Sequence, residues 1–280
     1  MLPIRLKQLP NFLNDQLERR QILKQRKQTK RVFHLCFFSC ESYFDYLYCS
    51  VYSLVKCLPK FEYKVYVFSD TDMPLTEDQT IKLIQLCPGL EVIPWPKSMG
   101  WGAQQIANIW KAYCYAAKDA AEEDIIARVD SDVFFVNDRI FRLVERHDAD
   151  LIGDGHFVDF KYSQGGCYFF KASAVRKIIQ LIEEEGIDEL VADLDVDVED
   201  VAATAFARRL KLKVFLTWFM GFPNELDNNK WFIGWLKYKF SCLHFVMKNK
   251  DKMLTAYIKH FDDCKDEKFT ELLNSSKELT

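Results

Sequence analysis

Apolar and polar positions change period several times along the chain, and each change marks a predicted element. Val32 to Ser39 (Val-Phe-His-Leu-Cys-Phe-Phe-Ser) is a short apolar run without a charged residue and reads as a strand buried on both faces. From Tyr43 to Cys57 the apolar residues recur at helical spacing and stop before Pro59. A strand is predicted at Tyr63 to Phe68, a helix opened by Pro74 and Thr76 through Leu86, a strand from Leu90 to Trp95, and a long helix from Ala103 to Lys118. Strand and helix thus alternate, which predicts an α/β fold with a mixed, mostly parallel sheet flanked by helices. In such sheets a ligand sits beyond the carboxyl ends of the strands.

The second half is less regular. Ile125 to Val136 is the most apolar strand, interrupted only by Arg128, Asp130, Ser131 and Asp132. A short helix follows at Arg139 to Arg146, with strands at Ala149 to Ile152 and Gly165 to Phe170. Helices are predicted at Ala172 to Glu185 and Val201 to Arg209, and a strand at Lys213 to Phe219. No repeat and no long linker divides residues 32–262, so one catalytic-sized domain is expected there, after an arm of residues 1–31 and before a polar tail of residues 263–280. The arm carries nine Lys/Arg against Asp15 and Glu18 and reads as a helix over Leu9 to Lys27, a solvated element or a contact for an acidic partner.

Composition narrows the function classes. The 280 residues carry a net charge of −3, so the chain offers no basic field for nucleic acid. Its nine cysteines are odd in number and have no CxxC spacing, which points to free thiols in a reducing compartment. Arg5 and Lys7 break any secretory apolar segment, and no run is long enough to span a bilayer, so a cytoplasmic protein without a transmembrane segment is expected.

The candidate chemistry centres on Asp130-Ser131-Asp132. Burying two carboxylates unpaired in an apolar strand costs several kcal/mol, on the order of the desolvation of a charge. They must therefore lie at a strand end, pair with Arg128, or bind a cation; carboxylate oxygens suit Mg²⁺ or Mn²⁺, which in turn hold substrate phosphates. A second acidic group, Asp195 to Asp200, is not an EF-hand: with Asp193 as its first position, Val198 stands where glycine is needed and Thr204 where glutamate is needed.

With these motifs in this order, residues Val32 to Lys252 resemble the GT-A family of nucleotide-sugar glycosyltransferases. The resemblance divides residues 32–137 from 138–262 as nucleotide-sugar-binding and acceptor halves. It implies that Asp132 ligates Mn²⁺ or Mg²⁺ directly, that Asp130 touches the ion's water or the ribose with Ser131 between them, and that His244 is the late histidine ligand. It makes Asp200, or failing that Glu199, the base of an inverting enzyme; a retaining enzyme, the alternative outcome, would need no such base. Asp70 and Asp72, at a strand's carboxyl end, would contact the nucleoside, and Lys111 and Arg128 the donor's sugar or phosphates. Gly165 and Gly166 would flank the acceptor, and Trp218, with Phe219 or Trp231, would stack on a sugar face. As a whole the chain resembles the glycosyltransferases that chloroviruses encode to build capsid glycans, one of them a xylosyltransferase acting on fucose. That likeness implies a UDP-sugar donor, UDP-xylose among the candidates, an oligosaccharide or glycoprotein glycan as acceptor, and work in a host cell's cytoplasm.

Two other readings stay open on the residues alone. Asp130 resembles the nucleophile of DxD phosphatases, although that motif usually lies on a first strand. A glycan- or nucleotide-binding module without catalysis would use the same acids differently.

Overall fold

In the computed structural model of the chain, residues 17–22, 24, 30–98, 100–221, 240–245 and 253 are described. Strand β1 (Val32–Ser39) lies inside the main sheet, buried at every position but its first. It pairs in parallel with β2 (Glu62–Asp70) on one side and β4 (Ile125–Asp130) on the other. Alternate residues of β1 serve two cores. Phe33, Leu35 and Phe37 join Leu47, Val51 and Leu54 of helix α1 (Phe44–Cys57), while Cys36 and Phe38 join the core that contains Ile109, Trp110 and Tyr113 of the helix over Ala103–Ala117. Apolar burial on both faces is why the strand shows no polar alternation.

Helix α2 (Glu77–Leu86) opens on a capping box in which the Thr76 hydroxyl accepts the Gln79 backbone N–H and the Gln79 side chain accepts the Thr76 N–H. Strand β3 (Glu91–Trp95) closes the sheet edge, where Pro94 is tolerated, and leads to helix α3 (Ala103–Ala117). After β4 come β5 (Val133–Phe135), α4 (Arg139–Val144), β6 (Leu151–Asp154), β7 (Cys167–Lys171), α5 (Ala172–Glu185), α6 (Ile187–Asp193), α7 (Glu199–Arg209), β8 (Val214–Thr217), β9 (Met220–Gly221) and β10 (Cys242–His244).

The seven-stranded sheet runs β3-β2-β1-β4-β7-β6-β8, and β7 alone is antiparallel to its neighbours. The expected mixed, mostly parallel sheet with flanking helices is present. The chain moves outward from β1 through β2 to β3 and then returns to place β4 on the opposite side of β1. That reversal opens a crevice at the carboxyl ends of β1 and β4, the place where open α/β sheets bind ligands. The last register pair at this end is Phe38 with Asp130.

The sequence and the structure differ in several elements. The single strand expected over Ile125 to Val136 is two strands in two sheets: β4 ends at Asp130, and β5 pairs antiparallel with β10 in a small sheet completed by β9. Apolar residues on both sides of the break hide it in the pattern, because both strands are buried. Gly165 and Gly166 form a turn before β7 instead of beginning it, and α6 was not anticipated. Residues 17–22 and 24 are helical within the expected arm helix; its remainder and the polar tail lie outside the described residues. Among the described residues, eight cysteines are free thiols and no helix is long and apolar enough to cross a membrane.

Candidate active site

Asp130 ends β4 still in register with Phe38, and the turn that follows carries Asp132 out of the main sheet. The Asp130 N–H donates to the Gly166 carbonyl at 2.7 Å, and the Ser131 hydroxyl donates to the Phe38 carbonyl at 3.0 Å. These bonds anchor the carboxyl ends of β4 and β1 while the chain swings into β5. There Val133 pairs with His244 of β10, and the Phe245 N–H donates to the Asp132 carbonyl at 2.9 Å. Strand pairing, with more than 100 residues of chain between the partners, thus sets an imidazole beside a carboxylate.

His244 Nε2 lies 3.2 Å from Asp132 Oδ1 and 3.8 Å from Asp130 Oδ2. One ligand atom from each of the three residues falls within 4.8 Å of the others. Two carboxylate oxygens and one imidazole nitrogen form a donor set that suits a divalent ion such as Mn²⁺ and leaves positions for substrate oxygens. Gly166 makes the cluster sterically feasible. It sits at φ +97, and a Cβ placed there would lie 2.6 Å from His244 Nδ1. Only glycine fits both that backbone conformation and that approach.

Arg128, two residues before Asp130 and on the same face of β4, links the cluster to α7. Its Nε donates to Asp130 Oδ1 at 2.9 Å, and its guanidinium also hydrogen-bonds the Glu199 carboxylate. This leaves Asp130 Oδ2 on the side of His244. Burial works against the Arg128 cation, but Asp130 and the other acidic groups nearby outweigh it and hold the guanidinium above its ordinary pKa. Glu199 also accepts from the Tyr113 hydroxyl at 3.2 Å, and that hydroxyl meets Tyr168's at 2.8 Å. Burial pushes the Tyr113 phenol well up, so it remains a neutral donor. Glu199 is buried among these side-chain partners, whereas Asp200 is half-buried and accepts two backbone N–H groups, that of Gly165 on Oδ2 at 2.9 Å and that of Val201 on Oδ1 at 2.8 Å.

These groups line a cavity of about 440 Å³. Arg128, Asp130, Ser131, Asp132, Gly165, Glu199, Asp200 and His244 all border it, and Gly166 stands behind His244. Asp70, Asp72, Lys111, Trp218 and Phe219, all singled out in the sequence, are not among its lining, and Phe219 is fully buried in the core. Asp70 is buried at the end of β2, where its carboxylate accepts the Asp72 N–H at 2.9 Å in a local turn. Lys111 is exposed on α3. Trp218 is buried with its ring stacked on His156 at 4.5 Å between centroids, a core packing role. Trp231 lies outside the described residues. The sequence reading passed over Tyr43, Ser98 and Trp101, which do line the cavity. Tyr43 follows the carboxyl end of β1, and Trp101 stands between two glycines, which were the available signals.

No family model and no curated protein sequence matches the chain. Solved structures do. The chain is similar to WbbM, a bifunctional glycosyltransferase, at 10% identity with a TM-score of 0.55, covering 89% of this chain and 52% of that one. An active-site variant of LgtC, a galactosyltransferase, matches at 14% identity with a TM-score of 0.52, covering 86% of this chain and 95% of that one. The fold is of the GT-A type. At these identities the likeness establishes architecture, and chemistry has to be argued from the cleft itself.

Proposed function

We propose that the chain is a metal-dependent glycosyltransferase that moves a sugar from a nucleoside-diphosphate donor, UDP-linked by the resemblance of its sequence, to a glycan hydroxyl. The observation that carries this reading is the Asp130, Asp132 and His244 cluster at the switch point of the sheet. A divalent cation held by those three residues would supply Lewis-acid stabilisation of the departing diphosphate. Arg128 keeps Asp130 oriented and keeps positive charge beside the phosphates. Asp200, with its carboxylate bordering the cavity, takes the proton as the acceptor oxygen bonds to the anomeric carbon and the bond to the diphosphate breaks. Configuration then inverts. Glu199, buried against Arg128 and Tyr113, is a positioning residue in this scheme. The donor sugar is a hexose or a pentose in this proposal, with xylose the candidate that the sequence resemblance supplies.

The phosphatase reading draws no support from the geometry: Asp130 Oδ1 is held by Arg128, and the third group of the cluster is a histidine.

An NMR assay of a UDP-sugar panel with MnCl₂ tests the proposal. UDP release is expected from at least one donor, with the opposite anomeric configuration in the product and no release by Asp132→Ala. Asp200→Asn should lower the rate about 10²- to 10⁴-fold while nucleotide binding persists. No release from any donor, with Asp132→Ala and wild type binding UDP equally, would contradict it.

A further inference from the structure

Trp101 is the most exposed large apolar side chain among the described residues, at 76% of its surface, yet it borders the same cavity as Asp130, Asp132, His244 and Asp200. Among the described residues its ring stacks on no other aromatic ring. A tryptophan left this wet forgoes the apolar burial it would contribute elsewhere in the fold. Its backbone is specifically shaped: Gly100 at φ +116 and Gly102 at φ +103 flank it, both in conformations that side-chain-bearing residues rarely adopt. The Gly102 N–H donates to the Asp197 carbonyl at 2.7 Å, and Gly102 also caps α3. The loop is therefore fastened between α3 and the segment that enters α7, on the side of the cleft that carries Asp200.

We propose that Trp101 is the platform on which a pyranose ring of the acceptor stacks, presenting its hydroxyl to Asp200. The inference rests on the glycosyltransferase reading of the cleft and adds an acceptor subsite to it. A pyranose has one face of C–H groups and a rim of hydroxyls. An exposed indole offers a flat apolar surface that complements the first without desolvating the second. The attachment to Asp197 favours the acceptor over the donor, whose diphosphate is drawn to the Asp130, Asp132 and His244 cluster.

The test uses the full chain with UDP and MnCl₂ and a panel of methyl glycosides of hexoses, 6-deoxyhexoses and pentoses, observed by saturation-transfer NMR. At least one glycoside should bind wild type, Trp101→Ala should bind it about tenfold more weakly, and Trp101→Phe should restore most of the affinity. UDP binding measured by calorimetry should not change in Trp101→Ala. Equal glycoside binding by wild type and Trp101→Ala, or no glycoside binding by wild type, overturns the platform. Weakened UDP-sugar binding with unchanged glycoside binding overturns it too, by assigning the ring to the donor. The glycosyltransferase reading fails separately, if wild type binds UDP no better with Mn²⁺ than without it.

Discussion

At the scale of single residues, the site depends on side chains whose partners are distant in sequence. Gly166 shows this most sharply, since its missing Cβ is what allows His244 to stand beside Asp132. Gly166→Ala should push the imidazole aside and lower Mn²⁺ affinity about 10- to 100-fold, in the range seen when a ligand's support is lost, and a calorimetric titration checks it. Asp130 and Asp132 were legible in the sequence because two carboxylates in an apolar run need neutralisation. The different partners of Glu199 and Asp200 were not legible, because nothing local to residues 195–200 reveals that Arg128 and Tyr113 hold the first while the Gly165 and Val201 N–H groups hold the second, with both carboxylates bordering the cavity. Trp101 was passed over for a similar reason: an aromatic between glycines reads as a loop until the loop is placed over a cleft.

At the scale of elements, the decisive event is the break between β4 and β5, which bends the two aspartates toward β10 and sends the strands into different sheets. Hydrophobicity along Ile125 to Val136 could not show it, since both sheets bury that run. Helix α7 is joined to β4 through the Arg128 and Glu199 pair, with side chains 16% and 4% exposed. Breaking a buried pair from one side strands a charge. Arg128→Met should therefore lower the unfolding free energy by about 3–5 kcal/mol in urea titrations, while the double variant with Glu199→Met should recover much of that loss. Additive losses in the double variant would show that the two groups are not coupled. The alternating first half, from β1 to α3, was readable element by element because each piece carries its own caps and stops, such as the Thr76 box and Pro59.

At the scale of the whole molecule, two apolar cores sandwich one sheet, and charged groups collect at its two ends with different roles. The end opposite the crevice holds Arg31, Lys171, Glu123, Asp148 and Lys213 around His147, whose ring stacks on Phe215 at 4.2 Å. Burial foremost, then the Lys213 charge, lowers the His147 pKa to about 4, with Asp148 opposing and Arg31 and Lys171 assisting. The unfolded chain therefore takes up the proton first. His147 stabilises the fold fully above about pH 6.5, and that contribution drains away as pH falls toward about 4. In urea titrations over this interval, wild type should lose stability more steeply than His147→Asn; identical slopes would contradict the assignment. At the crevice end the same kind of charge crowding gathers Arg128, Glu199 and His244 around Asp130 and Asp132, the groups to which the proposal gives the donor. The most direct measurement is an anomalous difference map at the manganese edge from a crystal soaked with UDP and MnCl₂. A single peak within about 2.0–2.6 Å of Asp130, Asp132 and His244, with the diphosphate oxygens on its open side, is the predicted result. A map in which manganese and UDP bind elsewhere, or in which the three side chains stay in mutual contact without an ion, would contradict the account.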